Sequence, residues 1–322
     1  MVGFVSFDNY QRTLFVNYNA NVQQADWLQM AGNINTRQSS AIRLKNPNLG
    51  KTVTHNWMLL WTRNKNEINQ TLQLTLNGNI RHGAVGTRTY YLPQTGTYIY
   101  QSGNVDGNWT GAAKIFFGRN ADKKKHIYVS NQLNASLEHN VDFSAASLDL
   151  PESALADYHL LGSIIGSQTD NLSKVNTLTL TDQLKAEYTL GDLKVGLNGQ
   201  FTWYNSTSNR TEFETISASE FNYGATLQYK LPLAIQLATD IKMFSRRGYQ
   251  TAEMNTDDLI WNASLSRSFV KGKLTCKLEA FDILHQLSNT TYTVNAQGHV
   301  ETWANKIPNY AMLHVIYKFA KK

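Results

Sequence analysis

The sequence predicts an all-β protein, an antiparallel transmembrane β-barrel, and three observations carry that prediction. Segments of about 10 to 16 residues alternate apolar with polar side chains, the period of two that marks a strand with one face in lipid and one in water. The connections between them alternate short and long, as barrels do with short periplasmic turns and long outer loops. The last segment, 310–319, carries Ala311, Leu313, Val315, Tyr317 and Phe319 on one face. It therefore ends in two aromatics, the side chains favoured at a membrane boundary.

The elements follow in order. The first crossing is expected at Arg12–Tyr18, rising toward the outside. Short turns are read at 63–67, 119–125, 191–192, 230–233 and 271–272, and long loops at 20–51, 82–106, 139–175, 206–215, 246–256 and 287–308. Leu184, Ala186, Tyr188 and Leu190 share one face of a strand over 177–190. Leu193, Val195, Leu197, Gly199, Phe201 and Trp203 repeat the pattern, as do Phe221, Tyr223, Ala225, Leu227 and Tyr229. Ile235, Leu237, Ile241 and Met243 follow, then Leu259, Trp261, Ala263, Leu265 and Phe269, then Leu274, Cys276, Leu278 and Ala280. The count is about twelve strands. A soluble sandwich also alternates, but its strands run nearer 5 or 6 residues. Tyr188, Tyr229, Phe269, Tyr317 and Phe319 are expected at the periplasmic rim, and Trp203, Phe221 and Trp261 toward the outer one.

Composition narrows the classes. No stretch approaches the roughly 20 apolar residues of a spanning helix. A mean hydropathy of −0.39 is what a barrel with a wet interior gives on averaging. The net charge of +6 is spread along strands and turns, and the one basic run, 122–126, reads as a solvated turn, so no nucleic-acid partner is expected. Cys276, alone in the chain, permits no internal disulfide. No Gly-x-Ser-x-Gly elbow and no clustered His or Cys motif occurs, so no enzyme, cofactor or metal is expected. His55, His126 and His314 read as lumen or rim residues.

The polar faces supply the candidate site. Lys185, Glu187, Lys194, Asp240, Lys242, Lys277 and Glu279 are expected to face the lumen, where they guide a ligand, dock a plug or simply keep a wet wall polar. The longest loop carries Leu148, Leu150, Leu155, Leu160, Leu161, Ile164 and Ile165, with a short helix expected over 152–158 and contact with ligand. Arg246 and Arg247 stand on the outer side, either exposed or against lipopolysaccharide phosphates.

Two passages resemble a known family. One runs from Leu14-Phe-Val-Asn-Tyr-Asn-Ala through Gln23-Gln-Ala-Asp-Trp-Leu-Gln and Lys45-Asn-Pro-Asn-Leu to Thr54-His-Asn-Trp-Met-Leu-Leu. The other is the end, 261–269 through 279–284 to 308–319. Both are similar to Bacteroidota-type TonB-dependent receptors and related outer-membrane barrel proteins. Departures are Lys45 where glycine is usual, Gly50-Lys51 for lysine-proline, His314 where many have glycine, and a three-residue tail. The resemblance implies that residues 1–322 are the carboxyl-terminal part of a barrel of about 22 strands. It implies nutrient uptake driven by TonB, with a plug domain, a possible surface lipoprotein, outer-membrane lipid and lipopolysaccharide, and the barrel-assembly machinery as partners. The assembly machinery would engage the terminal strand with Tyr317 and Phe319. Met1–Tyr10 has neither the basic head nor the apolar run of a secretory signal, so the front of the protein is expected to lie upstream. A passive porin-like barrel of about twelve strands is the alternative reading, and a soluble all-β binding protein a third.

Overall fold

A computed structural model describes residues 2–7, 10–31, 35–38, 41–150, 157–168, 171–211, 213–249, 252–287, 290–295, 298–305, 307 and 309–319. In chain order the strands are β1 (Val2–Phe7), β2 (Gln11–Gln23), β3 (Asn35–Gln38), β4 (Ala41–Leu44), β5 (Thr52–Lys65), β6 (Gln70–His82) and β7 (Ala84–Leu92). There follow β8 (Thr97–Val105), β9 (Asn108–Asn120), β10 (Ile127–Phe143), β11 (Ala146–Ser147), β12 (Leu172–Leu190), β13 (Leu193–Ser208) and β14 (Ile216–Leu231). The last are β15 (Ile235–Arg247), β16 (Asp257–Phe269), β17 (Leu274–Phe281), β18 (Thr290–Asn295), β19 (Gly298–Trp303) and β20 (Tyr310–Tyr317).

Thirteen of them form one antiparallel meander, β1-β2-β5-β6-β9-β10-β12-β13-β14-β15-β16-β17-β20. All twelve expected strands are present, and β1 is additional. Its sequence, Val-Gly-Phe-Val-Ser-Phe, is apolar on both alternations, so it carries no period-two signal. Among the described residues β1 and β20 each pair on one side only, and the sheet is open at both edges.

Register fixes which side chains share a face, because a slip of one residue would exchange the two faces entirely. Leu14, Trp61 and Leu74 align across β2, β5 and β6. Gln132, Gln183, Gln200 and Asn222 align across β10, β12, β13 and β14. The apolar rows are the exposed ones: Leu184 is 58% and Leu197 57% accessible. The short connections fall near their expected places, but β5 runs on to Lys65 and β14 to Leu231, so the turns expected at 63–67 and 230–233 begin later. Gly191 turns β12 into β13 through the two-residue link Gly191-Asp192 at φ 58, the left-handed conformation such tight hairpins require.

The long connections are not structureless. β3, β4, β7, β8 and β11 assemble a second, five-stranded sheet in the order β11-β7-β8-β4-β3. The chain's buried apolar cluster is here: Leu44, Tyr90, Leu92, Ile99, Leu150, Leu161 and Ile165. A helix spans Tyr158–Ser167; of the helix expected over 152–158, residues 152–156, Leu155 among them, lie outside the described residues. Leu160, Leu161, Ile164 and Ile165 recur at helical spacing. The Asp157 carboxylate accepts the Leu160 amide at 3.2 Å, a cap that starts the helix there. The hairpin β10–β12 also runs further than 139–175 suggested, pairing out to Phe143 opposite Leu172. Val141, Phe143 and Val175 are buried where this extension meets the loop assembly. A third, two-stranded sheet, β18–β19, makes a hairpin of the loop before β20. No helix among the described residues is long and apolar enough to cross a membrane.

Candidate functional site: a polar wall beneath a loop-built roof

All seven expected lumen residues project from the polar face, and six of them form ion pairs along their own strands. Lys185 Nζ lies 2.8 Å from Glu187, Lys242 3.3 Å from Asp240, and Lys277 2.9 Å from Glu279. Each pair is separated by two residues, the spacing that returns a strand side chain to the same face. Lys194 stands opposite Thr189 on β12 and Gln228 on β14. His314 Nε2 on β20 is 3.2 Å from Glu279, so this histidine shares the polar face with Glu279 and its register partner Lys277.

Three recesses regroup these residues by charge. One of about 460 Å³ near the short turns gathers Lys194, Lys277 and Lys230, with Gln228, Gln236 and Ser266, against a single acid, Asp192. A second of about 320 Å³ holds Lys185 and Lys242 among Gln183, Asn198, Gln200 and Asn222. The third, about 210 Å³, holds Asp240 and Glu279 with Asn262 and Thr226. Lys230 was missed because it reads as a turn residue. Its parity with Gln228 was the available signal.

Between the charges runs a neutral ladder. Gln132 Nε2 donates to Gln183 Oε1 at 3.2 Å, Gln183 to Gln200 at 3.0 Å, and Gln200 to Thr202 Oγ1 at 3.2 Å. Thr177 and Ser206 hydroxyls meet at 2.9 Å nearer the loops. Such a wall exchanges hydrogen bonds with water or a polar solute, and nothing in it resembles an activated nucleophile.

At the mouth, Glu220 collects three partners. Tyr249 Oη donates to it at 2.9 Å, Arg246 Nε lies 3.6 Å away, and Tyr204 Oη makes a loose contact at 3.5 Å. Burial, and then the Glu220 charge, push the Tyr249 hydroxyl well above its ordinary pKa. Arg247 Nη2 donates to both carboxylate oxygens of Asp257, at 2.8 and 2.7 Å. Both arginines thus have carboxylate partners within the protein, and Arg247 is also half exposed.

The roof packs tightly against the extended hairpin. A Cβ on Gly103 would collide with the Arg88 guanidinium and come within 2.8 Å of the Phe143 ring. Arg88 itself lies 4.2 Å over that ring. On its outer surface Tyr91 packs tilted on Tyr98 at 5.0 Å between ring centres, Tyr98 stacks on Tyr100 at 6.2 Å, and Arg43 sits 5.1 Å over Tyr100.

The remaining histidines separate. His55 meets Tyr18 Oη at 2.7 Å on the apolar face, and His126 lies 3.7 Å from Asp122 in a short turn. Among the described residues no three His, Cys, Asp or Glu are placed to hold a metal ion. The terminal strand stops at Tyr317, two residues earlier than expected. The Lys318 amide still donates to Lys273 at 2.8 Å, and Phe319, 90% exposed, keeps its ring 4.7 Å from Tyr317.

The sequence signature of the outer membrane protein beta-barrel family matches residues 115–317. The chain belongs to this family. It is a protein of the cell outer membrane, and the exposed apolar rows of the large sheet are its lipid-facing surface. Among solved structures the chain is similar to one titled "Copper transporter OprC", with 12% identity and a TM-score of 0.47. That similarity covers 84% of this chain and 41% of the transporter, so the chain spans less than half of its length. No curated protein matches.

Proposed function

We propose that residues 1–322 are the carboxyl-terminal part of the barrel of a Bacteroidota-type TonB-dependent receptor, which takes up a nutrient across the outer membrane. The observation that carries this reading is the open sheet. Among the described residues β1 and β20 have one neighbour each, and an unpaired strand edge is not tolerated in lipid, so further strands complete the ring. A ring of about 22 strands is too wide for side chains to fill and requires a plug. The lysine-rich recess of Lys194, Lys230 and Lys277 suits docking of such a plug through its acidic groups. The loop-built roof, held by its own core, suits capture of solute before entry. The resemblance of 14–60 and 261–319 to these receptors adds TonB, a surface lipoprotein and the barrel-assembly machinery as partners. No enzymatic role is assigned.

Uptake by cells carrying the full-length protein tests the proposal. Accumulation of its nutrient that vanishes on deleting TonB supports it. Passage that continues unchanged without TonB would instead make this a passive porin.

A further inference from the structure

The apolar face of β2, β5 and β6 is laid out in rows, since register partners project to the same side. Its middle rows are Val16–Leu59–Leu76 and Leu14–Trp61–Leu74. The next row toward the short turns is Arg12–Arg63–Leu72, with Lys65 two residues beyond Arg63 on the same face. Arg12 and Arg63 therefore stand directly opposite one another on adjacent strands. Like charges so placed destabilise a sheet unless an anion lies between them. The Arg63 guanidinium lies 3.7 Å over the Tyr10 ring and Lys65 Nζ 5.6 Å from it, which holds both cations at the foot of the strands. Among the described residues the one acid in the group is Glu67, 3.6 Å from Lys65 and 81% exposed on the turn. Neither arginine has a carboxylate partner among the described residues.

We propose that this foot is a binding site for one anionic glycerophospholipid of the periplasmic leaflet. Its phosphate sits between Arg12 and Arg63 with Lys65 alongside, and its acyl chains lie along the two apolar rows above. A free phosphate ion would satisfy the arginines but leave that lane unused, whereas a phospholipid matches both in the order the rows present them. The site depends on the lipid-facing surface and on nothing that passes through the lumen. Arg267 supplies the contrast within the same chain. It stands at the same end of β16 opposite Ile235 and Cys276, with its guanidinium 4.9 Å over Phe269, and has no second cation across from it.

Native mass spectrometry of the full-length protein in detergent, titrated with phosphatidylglycerol or phosphatidylcholine, tests the assignment. One phosphatidylglycerol is expected to be retained in preference to phosphatidylcholine. Arg12→Gln and Arg63→Gln are each expected to weaken retention about fivefold, and Arg267→Gln to leave it unchanged. Millimolar inorganic phosphate is expected not to displace the lipid. Wild-type retention in both foot variants would overturn the proposal, and so would displacement by inorganic phosphate, which would make the foot a simple anion site. Heat-modifiable gel mobility verifies that each variant is folded. If Arg63→Gln fails that check, Arg12→Gln, at an exposed position, carries the test.

Discussion

The same residue types serve opposite ends in the two sheets. Leu184 and Leu197 of the large sheet are more than half exposed, whereas Leu161 and Ile99 of the loop assembly are fully buried. In the large sheet lipid replaces a protein core, and the strands are held by ladder hydrogen bonds that have no alternative partner in hydrocarbon. The loop assembly sits in water and must build a core of its own. Stability in the membrane region thus rests on pairing, and in the roof on packing.

The widest separation between the two is expected from core truncation. Leu161→Ala should cost the roof about 2–5 kcal/mol. Proteolysis and hydrogen exchange over 84–105 should accelerate while heat-modifiable mobility of the barrel is unchanged; a barrel that unfolds with its roof would show that the two are one cooperative unit. The converse change, Leu184→Arg on the lipid face, should cost about 2–4 kcal/mol at mid-depth. It should lower the yield of assembled barrel without affecting protection of the roof.

Polar contacts give smaller effects. Tyr249→Phe removes a hydrogen bond to a charged carboxylate, worth about 1.5–3 kcal/mol, and should loosen 248–256 in hydrogen exchange. Because the Tyr249 pKa is raised, its contribution is complete below the ordinary tyrosine value of 10.0 and is lost as pH rises above it. Alkaline loosening of this loop should be absent in the Phe variant. The smallest effect is expected at Asp122, whose carboxylate accepts the Ile127 amide at 2.8 Å. That bond holds the carboxyl below its ordinary 3.8, so the turn's extra stability is present above that value and fades as pH falls below it. Asp122→Asn should flatten this acid response, read by exchange at 121–127.

The strands of the large sheet were legible because one side of each meets lipid along its whole length. Leu193 through Trp203 alternates without interruption, and the parity that exposes those residues places Lys194 on the wall. The roof was harder to read. β7 and β8 do alternate, and Gly96 marks the turn between them, but their partners β4 and β11 come from two other loops. Pairing across such distances leaves no local signal. Candidate wall residues were found by parity, whereas their regrouping into lysine and carboxylate recesses depends on strand stagger, which one sequence does not display. Lys230 shows the cost of starting a turn two positions too early.

Two contacts of the roof run parallel: β4 beside β8 and β11 beside β7. Antiparallel neighbours can arise within a single hairpin, but these pairs stitch three separate loops into one fabric. Surface connections vary more readily than the strands they join. Here variation in one loop is answerable to the other two, so a substitution at Ile99 must suit Leu44 from the first loop and Leu161 from the third. Diversity at this surface should therefore be inherited in linked sets, and a chimera that exchanges one loop alone should inherit a torn roof.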